Sequence, residues 1–261
     1  MKAWVSPGRA LRFRPSSSVS LGDDDRRQVE RRRAAATRLV GPSSGPAERV
    51  AGAPPAYLMA HGSSDIARQC ELLTPVPSPR QVRVVATPGR SPGEWHLDVA
   101  SRDRPGLLAA CSGVLSAWGL DVVQAVLATW ADGAALEAFV VRSPLAPDPS
   151  VLQPALEASL DQPPWSPPVT DARVTFDDRA SALYTSCDVR AADRPTLLHA
   201  VAVAIATAGA DVHAARVTTT AGVAHDRFDL SDRYGKKLDA ALRASIRTRI
   251  TDGVPAARRG R

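Results

Sequence analysis

The sequence predicts an α+β protein made of two tandem βαββαβ domains, each an antiparallel sheet with both helices on one face. Three observations lead there. The segment V-x-x-x-D-R-P-G-L-L at 99–108 returns as V-x-x-x-D-R-P-T-L-L at 189–198, an offset of 90 residues. Each copy runs strand, helix, strand, hairpin, strand, helix. A proline-, serine- and arginine-rich start stands apart from both copies.

In the first copy, residues 95–100 alternate as a strand, and Leu107, Leu108, Cys111, Val114, Leu115 and Trp118 then recur at helical spacing. Gly119 stops that helix. Residues 122–130 form a strand, Ala131, Asp132 and Gly133 a hairpin turn, and 134–141 the return strand. A second helix spans 147–160 and a last strand 174–176. The second copy places the same elements at 184–191, 195–208, 211–219, 223–231 and 237–250, with no evident last strand before the terminal Arg258, Arg259, Gly260 and Arg261. Gly119, Asp121 and Val122 reappear as Gly209, Asp211 and Val212, and Phe139 as Phe228 after a one-residue shortening of the hairpin.

Ahead of the repeat, residues 1–53 read as a disordered basic tail and linker, because the prolines and glycines at 41–55 break regular structure. An upstream start codon in an Arg- and Ala-rich coding region would produce such a tail. Residues 54–80 read as a connector with a short helix signal, capped by Ser64 or Asp65, and the domains as 81–178 and 179–261. Residues 1–50 are expected to be dispensable for folding.

Charge and cysteine content exclude several classes. The chain has a net charge of +6, but residues 1–50 hold 11 Lys and Arg against 5 Asp and Glu out of totals of 33 and 27, which leaves 22 of each sign beyond residue 50. A basic groove across the repeat is therefore not expected, and nucleic acid is an unlikely partner confined to the tail. Cys70, Cys111 and Cys187 form no C-x-x-C pair and suggest neither disulfide nor zinc, which suits a reducing cytoplasm. The longest apolar run, 197–210, is too short to span a membrane. Residues 1–20 lack the apolar core of a secretory signal, and Asp23, Asp24 and Asp25 follow too soon for a transit peptide.

The candidate binding residues are the repeated turn itself: Asp103, Arg104, Pro105, Gly106 and Leu107 in the first copy, and Asp193, Arg194, Pro195, Thr196 and Leu197 in the second. A strand turning into a helix presents free amides that attract a carboxylate, with proline and a nearby aspartate favouring the helix start. Gly106 lets a ligand approach the backbone. Thr196 in its place is expected to narrow and stiffen the second entrance and weaken that site. Glu137 and Asp226 are equivalent acids on the return strands and read as solvated or cross-strand-paired carboxylates. His213 takes the place of Val123, on a strand edge or partly buried.

The D-R-P-G-L-L turn, the G-L-D-V strand entry, the A-D-G hairpin, the E-x-F-x-V return strand and their second copies resemble the paired ACT domains that close bacterial PII uridylyltransferases. R-V-T-F-D-D-R-A-S-A-L-Y at 173–184, D-R-Y-G-K-K-L at 232–238 and the segment at 54–73 are similar to the same family. The resemblance covers about residues 54–251. It implies ferredoxin-like ACT domains that pair within the chain or in a homodimer and bind an amino acid, glutamine in that family, at the junction of one domain's turn with its neighbour.

The family's catalytic parts are not matched. G-P-S-S-G at 41–45 has no Asp-x-Asp after it, and of His61, His96, His199, His213 and His225 only His225 is followed by an aspartate, Asp226, with no second histidine beside it, so neither the metal pair of a nucleotidyltransferase nor the clustered His and Asp of an HD site can be assembled. The resemblance therefore implies a non-catalytic, cofactor-free and metal-free sensing module, truncated or split from its enzyme, with PII protein or a separate catalytic subunit as partner. A free-standing amino-acid-binding protein with another client, and an active uridylyltransferase, are the competing readings.

Overall fold

The computed structural model describes residues 23–256, and within them four helices precede the repeat: α1 (Asp23–Val40), α2 (Gly45–Ala51), α3 (Pro55–Ala60) and α4 (Ser63–Leu72). This corrects the expected disorder of residues 23–53; residues 1–22, the rest of that expected tail, lie outside the described residues. The prolines taken as helix breakers are helix starters. Ser44 caps α2 by accepting a bond from the Ala47 amide with Pro46 in the first turn, and Pro55 opens α3. In α1, Asp23, Asp24 and Asp25 occupy the first turn and Arg38 the last, matching the helix dipole.

The four helices cover one face of the first sheet. Val29, Ala36, Val50, Tyr57, Leu58, Ile66, Cys70 and Leu73 pack with Ala100, Ala128, Trp130, Leu136 and Ala138 in one apolar cluster. Polar contacts pin the layer. The Arg32 guanidinium donates to the carbonyls of Leu58, Met59 and His61 at 2.7–2.8 Å, and Arg49 pairs with Asp132 at 2.7 Å. The buried Asp98 carboxylate accepts from Arg68 at 2.7 Å and from Gln69 at 2.8 Å, and the Tyr57 hydroxyl donates to Gln69 at 2.7 Å.

The first unit then runs β1 (Arg83–Pro88), β2 (Glu94–Arg102), α5 (Leu107–Ala117), β3 (Asp121–Thr129), β4 (Ala134–Arg142) and α6 (Pro149–Ser159). The second runs β5 (Arg173–Asp177), β6 (Thr185–Ala192), α7 (Leu197–Ala208), β7 (Ala210–Arg216), β8 (Thr219–Thr220), β9 (Val223–Asp232) and α8 (Ala240–Asp252). Both sheets are antiparallel, ordered β1-β2-β4-β3 and β5-β6-β9-β7, with β8 added against β9. The α+β class and the ferredoxin-like strand order hold.

The edge strand, however, comes first in each unit rather than last. The strand expected to close the first copy at 174–176 is part of β5 and pairs with β6, Val174 opposite Val189, so it opens the second sheet. The division between the units therefore falls ahead of residue 173 and not at 178. The missing last strand of the second copy is thereby explained.

The units pack helix to helix and edge to edge, α5 on α7 and β3 beside β7, around one continuous core. Gly113 of α5 makes room for the His199 ring of α7: a Cβ there would lie 2.8 Å from the ring. The two His199 ring nitrogens approach the carbonyls of Ala109 and Trp165 at 2.9 and 3.0 Å, so this side chain bridges the units. No helix among the described residues is long and apolar enough to cross a membrane.

Candidate functional site: paired cavities between the units

Each D-R-P motif folds into the same tight turn. The Leu107 amide donates to the Arg104 carbonyl at 3.3 Å and the Leu197 amide to the Arg194 carbonyl at 3.2 Å. Gly106 (φ 79°, ψ 9°) and Thr196 (φ 72°, ψ −4°) sit at the third position with type II geometry. The prolines thus lie in the turn, one residue before the cap, rather than in the helix. The turns are tied to the hairpins alike: the Asp103 amide donates to the Gly133 carbonyl at 2.8 Å, and the Asp193 amide to the Gly222 carbonyl at 2.9 Å. No side chain caps α5 or α7, so Asp103 and Asp193 do not play the expected capping role. Thr196 holds a backbone that β-branched residues disfavour by about 1–2 kcal/mol.

A cavity of about 190 Å³ lies over the first turn, lined by all five predicted residues from Asp103 to Leu107 and closed by Ala202 and Ala206 of α7 and Asp211 and His213 of β7. Its counterpart of about 360 Å³ is lined by Asp193 to Leu197 and closed by Ser112 and Ser116 of α5 and Asp121 of β3. Each cavity is thus built from the turn of one unit and the helix and edge strand of the other. The cavity beside Thr196 is the larger of the two, and the exposed threonine reproduces the turn that Gly106 makes in the first copy.

The acids on the return strands are not solvated. Glu137 is 1% exposed and Asp226 2% exposed, and both line the cavities. Period-two alternation puts Glu137 between Ala135 and Phe139 on the helix-facing side, and Asp226 between Ala224 and Phe228. Their cross-strand neighbours on β2 and β6, Val99 and Val189, offer no charge. Among the described residues, Asp226 Oδ1 has no hydrogen-bond donor, and the Glu137 carboxyl has none beyond the weak thiol of Cys111. The motif arginines do not supply one: Arg104 turns to Asp161 at 3.5 Å, and Arg194 to Asp171.

Burial pushes the Glu137 carboxyl up to about 7, the Cys111 thiol opposing and Asp103 adding to the rise. Asp226 also rises to about 7, through burial and then the Asp193 charge, against a backbone hydrogen bond from Thr218. Across the first cavity burial raises Asp211 and lowers His213, whose ring stacks on Tyr184 at 4.2 Å and meets Ser231 Oγ at 2.7 Å. His213 lies at a bulge of the edge strand β7, half-buried, in the place its sequence position implied.

A carboxyl whose folded-state pKa exceeds its unfolded value favours the fold in its neutral form. Stability contributed this way is full below pH 4.5, falls as pH rises, and is lost above about 7. Glu137→Gln is accordingly expected to raise the melting temperature at pH 8 by several degrees, on the order of 3 kcal/mol, and to leave it unchanged at pH 4. Thermal unfolding followed by circular dichroism across this range checks it; a lower melting temperature at pH 8 would mean the ionised carboxylate is held by a partner.

The fold and cavities define a tandem pair of ferredoxin-like units with matched pockets along their shared seam. No protein-family model matches the chain. It is similar to bifunctional uridylyltransferase/uridylyl-removing enzymes. That of Rhodospirillum rubrum is 28% identical over 201 residues, 67% of this chain and 21% of the relative. That of Novosphingobium aromaticivorans is 30% identical over 172 residues, 58% of this chain and 19% of the relative. That of Azospirillum brasilense is 26% identical over 221 residues, 75% and 24%. The chain thus spans about a fifth of the length of these curated relatives, the group its motifs resembled. Among solved structures, an aspartate kinase from Synechocystis aligns with a TM-score of 0.34 and 16% identity over 59% of this chain and 26% of that one.

Proposed function

We propose that this protein is a non-catalytic amino-acid-sensing module acting in cytoplasmic nitrogen regulation, with glutamine as effector and with PII protein or a separate catalytic subunit as client. The observation that carries this is the construction of each cavity from both units. A molecule bound there touches the uncapped start of one unit's helix and the flank of the other's, so occupancy is transmitted as a change in how the units pack. The smaller cavity, about 190 Å³, suits a small metabolite better than a nucleotide.

Free amino acids are expected to raise the melting temperature, since a ligand that binds only the folded state stabilises it by mass action. In a thermal-shift screen of the twenty amino acids at millimolar concentration, glutamine should give the largest rise, and incubation with PII and UTP should give no UMP transfer. A screen without any shift would overturn the sensing role, and UMP transfer would overturn the non-catalytic one.

A further inference from the structure

We propose that Glu137 and Asp226 are the ammonium-recognising groups of the two cavities, so that each cavity takes a small zwitterion, its cationic nitrogen on the buried carboxylate and its own carboxylate at the uncapped helix start. This rests on reading the cavities as amino-acid sites and adds which part of the ligand is read, and by which residue.

The two acids hold equivalent places in the repeat, each two residues ahead of the inward phenylalanine, Phe139 or Phe228, of its return strand. Both are almost wholly buried at a cavity wall, where, among the described residues, Asp226 Oδ1 has no donor and Glu137 has no stronger donor than the Cys111 thiol. A buried carboxylate without a donor is costly, and ionised it only accepts hydrogen bonds, so its complement is a charged N–H group. A purely structural wall position would be better served by an apolar residue.

The neighbours favour a cation as well. Glu137 faces the Cys111 thiol on α5, Asp103 and Arg104 in the turn, and Asp211 and His213 on β7. Asp226 faces Asp193 and Arg194 in its turn, Asp121 at the start of β3 and His199 on α7. Each arginine is occupied by an aspartate outside the cavity. The same cavity is also lined by the first turn of α5 or α7, with no side-chain cap and the positive end of the helix dipole. One pole for each charge of a zwitterion is therefore present, twice.

Ionisation near pH 7 adds a signature: an ammonium needs the carboxylate, so binding below that pH must first expel a proton, and apparent affinity should weaken up to tenfold per pH unit. The test is calorimetry on the intact chain with L-glutamine and with glutaramic acid, which is glutamine without its amine, at pH 6, 7 and 8. Expected are glutamine binding about tenfold weaker at pH 6 than at pH 8, no detectable binding of glutaramic acid, and a loss of thirtyfold or more in the Glu137→Gln/Asp226→Asn double variant. Thermal unfolding of that variant at pH 8, at or above the parent's, shows that it is folded. If the variant binds glutamine as tightly as the parent, or glutaramic acid binds like glutamine, the carboxyl assignment falls while the sensing role stands. If none of the twenty amino acids binds the parent, both fall together.

Discussion

A chain beginning at Pro54 is expected to melt well below the intact protein, by about 4 kcal/mol or more. It loses α1 and α2, and with them the burial of Val29, Ala36, Ala47 and Val50. The two fully buried valines alone contribute about 1.5–3 kcal/mol each. Also lost are the Arg32 bonds that close α3 and the Arg49–Asp132 pair that holds the hairpin of β3 and β4. Urea unfolding of the two chains measures this; equal stabilities would show that the first two helices ride on the sheet without supporting it.

Arg68→Ala should be nearly as damaging, about 3–4 kcal/mol, because it strands the Asp98 carboxylate, 2% exposed, with only Gln69 as a donor. Replacing both partners, Arg68→Met with Asp98→Leu, should recover most of the loss, since no uncompensated charge then remains. A double-mutant cycle by thermal unfolding separates the cases, and additive losses would refute an internally paired Asp98.

The repeat was legible because both copies preserve their turn, their hairpin and their apolar periodicity. The elements from β2 to α8 consequently fall within a few residues of their expected places, whereas β1 at 83–88 was not among the expected strands. Less legible was α1, which buries only Val29 and Ala36 among eighteen mostly charged residues, so its amphipathic stripe is too sparse to register. In α2 and α3 a proline in the first helical turn looks the same in sequence as a proline in a linker; the distinction rests on Ser44 accepting the Ala47 amide and on what the helix packs against. The origin of β5 was hidden because a short strand matches either sheet by pattern, and pairing with β6 is a long-range fact.

The turn residues of the candidate site were legible from the motif. Glu137 and Asp226 were misread although the signal was present: each stands at an even spacing from an apolar pair, Ala135 with Phe139 and Ala224 with Phe228, so period two already turned them inward. The opposite walls, Ala202 and Ala206 or Ser112 and Ser116, were beyond reach, since they arise only when the two units close on each other.

That closure has a mechanical consequence. Gly106 faces Ala206 while Gly113 faces His199, so α5 and α7 run antiparallel, and each gives its first turn to one cavity and its flank to the other. Neither helix borders one chamber alone, so a rearrangement of α5 against α7 at Gly113 and His199 would reach both chambers at once. Any effect that an occupant of one chamber had on binding in the other would by linkage be equal in both directions.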